Sequence, residues 1–312
     1  MNIQQLEYII ALDERKSFSK AAEMCFITQA TLSTMVKKLE IELDLILFDR
    51  KTNPIITTDC GIEIIELAKQ TLRSVNQIKE LAKSIKGKIE GRITIGIIPT
   101  IANSLLPLFI KSMLEKYPNL YLEVKEITTN DILKKLKEGS LDVGILSTPV
   151  KHAEEFEEQI LYYESLLVYG ETANNKKYVL PQHLVNEKIW LLEEGHCLRD
   201  QFINLCSLNR KKLNANFKFE SNSFETLLNM VDSFGGLTVI PELYVNTLSV
   251  ERKKKIIQFT SPYPVREVSL IYHRPYAKHR LISILESEIK ALIVPLLTTN
   301  TIQNNEQIIV KT

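Results

Sequence analysis

Cys197 and Cys206 stand nine positions apart in the stretch Glu194-Gly195-His196-Cys197-Leu198-Arg199-Asp200-Gln201-Phe202-Ile203-Asn204-Leu205-Cys206. A cysteine thiolate is the reactive form of the side chain, as nucleophile, redox centre or metal ligand. Leu198, Phe202 and Leu205 recur at helical spacing just after Gly195, so the segment reads as a helix with Cys197 in its first turn. That position is near the positive end of the helix dipole, and His196 and Arg199 add positive character that favours a thiolate. Asp200 acts the other way unless Arg199 or backbone donors engage it. On spacing alone the default is two buried, inert thiols. If the two sulfurs did bond, geometry sets a condition. Nine residues of continuous helix span about 13.5 Å and two and a half turns, whereas a disulfide needs Cα atoms within about 7 Å. Such a bond therefore requires the helix to unwind.

The elements that must position these thiols follow from the rest of the chain. At 312 residues it is long enough for two or three domains, and 39 basic against 38 acidic residues, 45% hydrophobic and 25% charged, is ordinary for a globular protein. No apolar run approaches the roughly 18 residues of a membrane helix, and the opening Met1-Asn2-Ile3-Gln4-Gln5 does not read as a secretion signal. The expectation is a cytoplasmic protein without membrane attachment, whose four cysteines rest as thiols, so that any disulfide is transient and functional. Cys25 and Cys60 read as small buried hydrophobes. No cofactor or metal is expected. No G-x-G-x-x-G or G-x-x-x-x-G-K-[ST] follows a predicted strand, which argues against a nucleotide-binding enzyme.

Residues 1–60 read as short amphipathic helices: one with Ile3, Leu6, Ile9 and Ile10, a second through 20–24 with candidate caps in Ser17-Phe18-Ser19, and a third capped by Thr28 with Leu32, Val36, Leu39 and Leu43. The second and third have the spacing of a helix-turn-helix, whose second helix enters the major groove of DNA. A plain trihelical bundle fits as well. In the DNA-binding reading, Gln29, Thr31, Ser33 and Thr34 face base edges and phosphates, while Lys37, Lys38, Arg50 and Lys51 contact phosphates. Seven basic against nine acidic residues in 1–60 means that affinity depends on where the charges lie, and on dimerisation. Asn53-Pro54 signals a turn or wing. A long helix then begins near Gly61, with Ile65, Ala68, Leu72, Val75, Ile78, Ala82 and Ile85 as one apolar stripe closed by Gly87 and Gly91. It reads as a dimerisation linker, or as a helix packed on its own domain.

From Arg92 short β-type runs alternate with helical segments: 93–97, 105–117, 121–127, 132–136 and 142–145, then 188–192, 197–205, 217–219, 224–231 and 237–240. That alternation predicts βαβ units around a parallel sheet, in two lobes. The polar 298–312 reads as a flexible tail.

Phe18-Ser19-Lys20-Ala21-Ala22, Gln29, Leu32-Ser33, Lys37-Lys38-Leu39-Glu40, Leu47-Phe48-Asp49-Arg50 and Thr58 with Gly61 resemble the winged helix-turn-helix of LysR-type transcriptional regulators, in the family's order and spacing. Cys25, Thr34 and Asp44 depart from the family's usual Leu, Arg and Gly, and Thr34 bears on base readout. Gly195-His196-Cys197-Leu198-Arg199-Asp200 with a second Cys nine residues on resembles the switch of the family's hydrogen-peroxide-sensing OxyR branch, as do 225–231 and 236–241. The resemblance implies an α plus α/β architecture: a winged helix-turn-helix (1–60), a linker helix (61–90), and a two-lobed, periplasmic-binding-protein-like regulatory domain (91–297), with lobe I at about 91–162 and 267–297 and lobe II at about 163–266. It implies a regulator, not an enzyme, in which Cys197 is oxidised by peroxide and then bonds to Cys206. Thr100 and Thr129 would hold peroxide against the sulfur, with His196, Asp200 and Arg266 around it. From the residues alone Thr100 fits a helix N-cap and Arg266 a surface strand position equally well. The implied partners are double-stranded DNA, hydrogen peroxide, a second copy through the linker helix and further copies in a tetramer, RNA polymerase, and a thiol reductant such as glutaredoxin or thioredoxin. Two other readings remain at this point: a LysR-type regulator answering a small metabolite with inert cysteines, and a stand-alone thiol peroxidase, which would have no use for residues 1–60.

Overall fold

Asn2 accepts from the Gln5 amide while the Gln5 side chain accepts from the Asn2 amide, a reciprocal cap that starts α1 (Ile3–Arg15). Helix α2 (Phe18–Met24) follows, with Ser17 at the N-cap position but making no side-chain capping bond. Thr28 caps α3 (Gln29–Leu43) through the Thr31 amide at 3.2 Å. The apolar faces of the three helices meet in a core of Leu6, Ile9, Leu12, Ala21, Leu32, Val36 and Leu39. A two-stranded wing, β1 (Phe48–Asp49) antiparallel to β2 (Ile56–Thr57), is tied to α3 by Glu40, which accepts from the Leu47 and Phe48 amides. Helix α4 (Asp59–Ile85) begins where Gly61 passes Leu47 so closely that a Cβ would lie 2.3 Å from its carbonyl oxygen.

The computed structural model describes the chain except residues 86–88, 151–152, 173–176, 194–195, 207–220, 274–278, 302–305 and 311–312. Gly87, Gly195 and the predicted strand 217–219 lie outside the described residues. The chain divides into two units, Met1–Gly87 and Lys88–Thr312. Along α4 the predicted stripe serves two ends. Ile65 and Ala68 are buried in the core of their own unit, whereas Ile78 is 70% exposed and Ala82 is exposed.

The second unit is built on strands β3 (Gly91–Ile97), β4 (Leu120–Glu126) and β5 (Val143–Thr148), with helices α5 (Pro99–Lys116) and α6 (Thr129–Lys137) between them. β3 pairs in parallel with both β4 and β5, as βαβ connections require. The expectation of a wholly parallel sheet fails beyond this point. Two long strands, β6 (Phe156–Gly170) and β10 (Tyr263–His273), run antiparallel to each other, and β10 is antiparallel to β5. β6 continues past the first lobe to pair with β8 (Leu237–Pro241) and β9 (Ile256–Phe259); β9 pairs with β7 (Tyr178–Val179). One apolar core surrounds Ile95, Ile97, Phe109, Ile145, Leu270 and Leu285; the other surrounds Val168, Phe202, Leu228, Ile240 and Phe259. The division between them falls along β6 between Tyr162 and Leu166.

Two further expectations need correction. Residues 188–192 form no strand; Ile189 makes an isolated bridge to Leu237, and the segment is held by Trp190 donating to the Leu237 carbonyl and Leu237 donating to the Lys188 carbonyl. The polar tail is built in where it is described. Helix α9 (His279–Ile293) leads to Thr299, which is buried, and β11 (Gln307–Ile309) pairs in parallel with β10. Its polarity misled because Thr299 and Gln307 spend it on hydrogen bonds within the protein.

Candidate functional site

Helix α7 (Cys197–Cys206) carries a free cysteine at each end. Leu198, Phe202, Ile203 and Cys206 face the second core, to which β8 and α8 (Phe224–Phe234) also contribute. One unbroken helix between the two residues separates the Cα atoms by about 13.5 Å. The sulfurs are therefore beyond bonding reach while α7 stays helical.

Cys197 is partly buried, and its Sγ lies 2.8 Å from the Thr129 hydroxyl at the first turn of α6. Thr128, not Thr129, caps that helix, which leaves the Thr129 hydroxyl to the sulfur. Burial pushes the Cys197 thiol up, and the Asp200 carboxylate adds to this; the Thr129 hydroxyl and the Arg266 charge pull the other way without overcoming it. The net push on the thiol is upward, against the stabilisation of a thiolate that the helix position suggests. The neighbours in sequence are engaged elsewhere: Arg199 donates to the Leu192 carbonyl at 2.7 Å, and His196 Nε2 lies 3.2 Å from Asn222 Oδ1. The cation that acts on the sulfur is Arg266, from β10.

Arg266 is fully buried, not a surface strand residue. It sits opposite Glu164 on β6, donates from Nε to Glu164 Oε1 at 2.8 Å, and with its other nitrogens reaches the Thr100 hydroxyl at 3.1 Å and the Thr100 carbonyl at 3.0 Å. Thr100 lies inside the first turn of α5, whose N-cap is Ile98, so the capping alternative is set aside. Arg266 thereby joins Thr100 to the same group of charges that bears on Cys197. Glu164 is held in turn by the Leu243 amide at 3.1 Å. Cys206 is buried in apolar surroundings that push its thiol up to about 12. It is inert where it stands.

Gln201 is the residue that motif reasoning missed. One turn from Cys197, it is fully buried, donates to Ser147 Oγ at 2.9 Å and to the Val310 carbonyl at 3.2 Å, and leaves its Oε1 without a hydrogen-bond partner among the described residues. The signal was a glutamine beside the apolar stripe of Leu198, Phe202 and Leu205. Among the described residues no group of three or more His, Cys, Asp or Glu side chains could hold a metal ion, and no helix is long and apolar enough to cross a membrane.

In the first unit Gln29, Thr31 and Thr34 are exposed on the first two turns of α3, with Ser33 partly covered and Ser19 donating to Gln29 Oε1 at 3.3 Å. Lys37 and Lys38 are exposed further along, and Lys51 is exposed in the wing. Arg50 is braced, paired with Glu40 and stacked over the Phe18 ring at 5.2 Å.

Residues 3–62 match the bacterial regulatory helix-turn-helix domain of the lysR family, and residues 86–287 match the LysR substrate binding domain. The chain belongs to the LysR family of bacterial regulators. Its relatives narrow the branch to OxyR. The "Hydrogen peroxide-inducible genes activator" of Haemophilus influenzae is 34% identical over 94% of this chain and 99% of its own length. The "DNA-binding transcriptional dual regulator OxyR" of Escherichia coli K12 is 36% identical over 87% of this chain and 89% of its own. Among solved structures, a full-length Pseudomonas aeruginosa OxyR with a cysteine-to-aspartate substitution superposes with a TM-score of 0.76 at 30% identity, covering 94% of this chain and 99% of that one. A hydrogen-peroxide-bound cysteine mutant of Corynebacterium glutamicum OxyR gives 0.63 at 25%, covering 97% and 98%.

Proposed function

We infer that this protein is a DNA-binding transcription regulator that senses hydrogen peroxide, and that Cys197 and Cys206 are its switch. The first part follows its relatives, which bear the names of peroxide-inducible gene activators; these do not favour the metabolite-responsive alternative. The second rests on one observation above all: a free thiol in contact with a threonine hydroxyl and under the charge of a buried arginine, at one end of a helix whose other end is a second free thiol.

In this mechanism peroxide enters beside Cys197 and is held by the hydroxyls of Thr129, which touches the sulfur, and Thr100, which Arg266 holds, while Arg266 stabilises the thiolate as it forms. The sulfur attacks one peroxide oxygen, water leaves, and Cys197 becomes a sulfenic acid. The product no longer suits the packed pocket, α7 unwinds, and Cys206 condenses with the sulfenic acid to give the disulfide and a second water. His196 and Asp200 flank the reacting sulfur and shape the pocket rather than exchange atoms with peroxide.

The output domain is the winged helix-turn-helix of 1–60, with Gln29, Thr31, Ser33 and Thr34 toward bases and Lys37, Lys38, Arg50 and Lys51 toward phosphates. We assign 61–90 as the linker through which two copies pair, supported by the exposed Ile78 and Ala82 on α4, and 91–297 as the sensing domain, in which a change in lobe II alters how copies assemble into a tetramer. RNA polymerase at the promoter and a glutaredoxin- or thioredoxin-type reductant complete the cycle, and the DNA target puts its site of action in the cytoplasm. The test is titration with stoichiometric peroxide, mapping thiols by mass spectrometry in wild type, Cys197→Ser and Cys206→Ser. The expected products are the disulfide, no oxidation at the switch, and a stalled sulfenic acid, respectively. Oxidation at Cys25 or Cys60 while Cys197 stays reduced refutes the assignment.

A further inference from the structure

The C-terminal strand lies beyond residue 287, where the match to the family's domain ends, yet it is tied to the sensing helix. Its first anchor is Thr299, whose hydroxyl is 2.8 Å from both the Ser165 amide and the Ser165 hydroxyl, with Gln307 Nε2 donating back to the Thr299 carbonyl at 3.1 Å. Its second is β11 itself, in register with Tyr263, Pro264 and Val265, the residues immediately before Arg266; the Val310 amide closes the ladder on the Val265 carbonyl at 2.9 Å. Val310 then enters the same apolar core as Leu198, Phe202 and Cys206, and its carbonyl receives the Gln201 amide. Gln201 is four residues from one sulfur and five from the other. Gln201 thus sits in the middle of the segment that must unwind for the sulfurs to meet.

We propose that Gln307–Ile309 with Val310 is a latch on the sensing helix, one that holds Gln201 and so sets how readily the Cys197–Cys206 disulfide forms; this rests on the switch reading above. The reaction it opposes balances with peroxide as oxidant. Cys197 sulfur takes one peroxide oxygen as the O–O bond breaks and the other leaves as water; Cys206 sulfur then displaces that oxygen as the second water. The two thiols lose two electrons and peroxide gains them. Because the latch contacts exist with α7 helical and are lost when it unwinds, they favour the dithiol. Gln201 acts as a positioning residue and Val310 as its support.

The experiment compares the full chain, a chain ending at residue 305, and Val310→Ala. Each is equilibrated in dithiothreitol or glutathione redox buffers and the disulfide is quantified by mass spectrometry. Loss of one buried hydrogen bond with its packing predicts about a tenfold shift toward the disulfide on truncation, a potential about 30 mV more negative for a two-electron couple, and a smaller shift in the same direction for Val310→Ala. In the full chain, amide exchange at residues 308–310 is expected to accelerate on oxidation, which decides the matter without a variant should the shortened chain not fold. If the disulfide forms with unchanged potential in the variants and unchanged exchange at 308–310, the latch is wrong and the switch stands. If the full chain forms no such disulfide, both fall.

Discussion

Removing the Thr129 hydroxyl isolates the contact on which peroxide sensing most depends. Thr129→Val keeps the shape and the β-branch, and α6 loses no cap because Thr128 supplies it. What is lost is one hydrogen bond at 2.8 Å to Cys197 Sγ. A hydrogen bond to a charged group is worth about 1.5–3 kcal/mol, so its loss pushes the thiol further up. The thiolate population at neutral pH then falls about ten- to a hundredfold. The assay is the second-order rate of Cys197 oxidation, followed by alkylation trapping at several pH values, in a Cys206→Ser background that stops the reaction at the sulfenic acid. The rate near pH 7 is expected to drop by that factor, with the profile displaced to higher pH, and Thr129→Ser is expected to restore most of it. If the hydroxyl also orients peroxide, the high-pH plateau falls too. A Thr129→Val protein with the wild-type rate and pH profile would mean that the hydroxyl does not act on the sulfur.

Three further outcomes follow from the same contacts. Since burial raises the Cys197 thiol above its ordinary range and the thiolate is the reacting species, oxidation is expected to quicken steadily as pH rises from 6 to 9; a flat profile would mean the thiol is already ionised at pH 6. Arg266→Met strands the buried Glu164 carboxylate, so thermal or denaturant unfolding of the protein should show a loss of about 3–5 kcal/mol, most of it recovered when Glu164→Leu is added. Lys37→Ala and Lys38→Ala should each weaken binding to target and random duplex DNA alike and reduce the salt dependence of binding by about one unit, as phosphate contacts do; a loss confined to the target would point to base readout instead.

The parts of this molecule that could be read from its sequence are those governed by near neighbours. The periodicity of Leu32, Val36 and Leu39, the Thr28 cap, and the run Leu198 to Phe202 each fix a helix within a few residues, and α3 and α7 form where those signals lie. The parts that could not be read come from pairing across long stretches of chain. Nothing near Arg266 announces Glu164, since the two meet only because β6 and β10 run side by side through both lobes. Arg199 looked like the cation for Cys197 because it is two residues away; in three dimensions it turns to the Leu192 carbonyl. Gln201 and the tail escape a sequence reading for a shared reason. Polar side chains ordinarily signal solvent, and here they satisfy one another inside the fold.

The two sulfurs cannot meet while α7 is intact. Hydrogen–deuterium exchange at the amides of residues 201–206, measured in the dithiol protein and again after one equivalent of peroxide, addresses it directly. Protection in the reduced state, lost as mass spectrometry records the Cys197–Cys206 disulfide, is the predicted result. A disulfide between these residues with the helical protection retained would mean that the sulfurs meet without unwinding of α7.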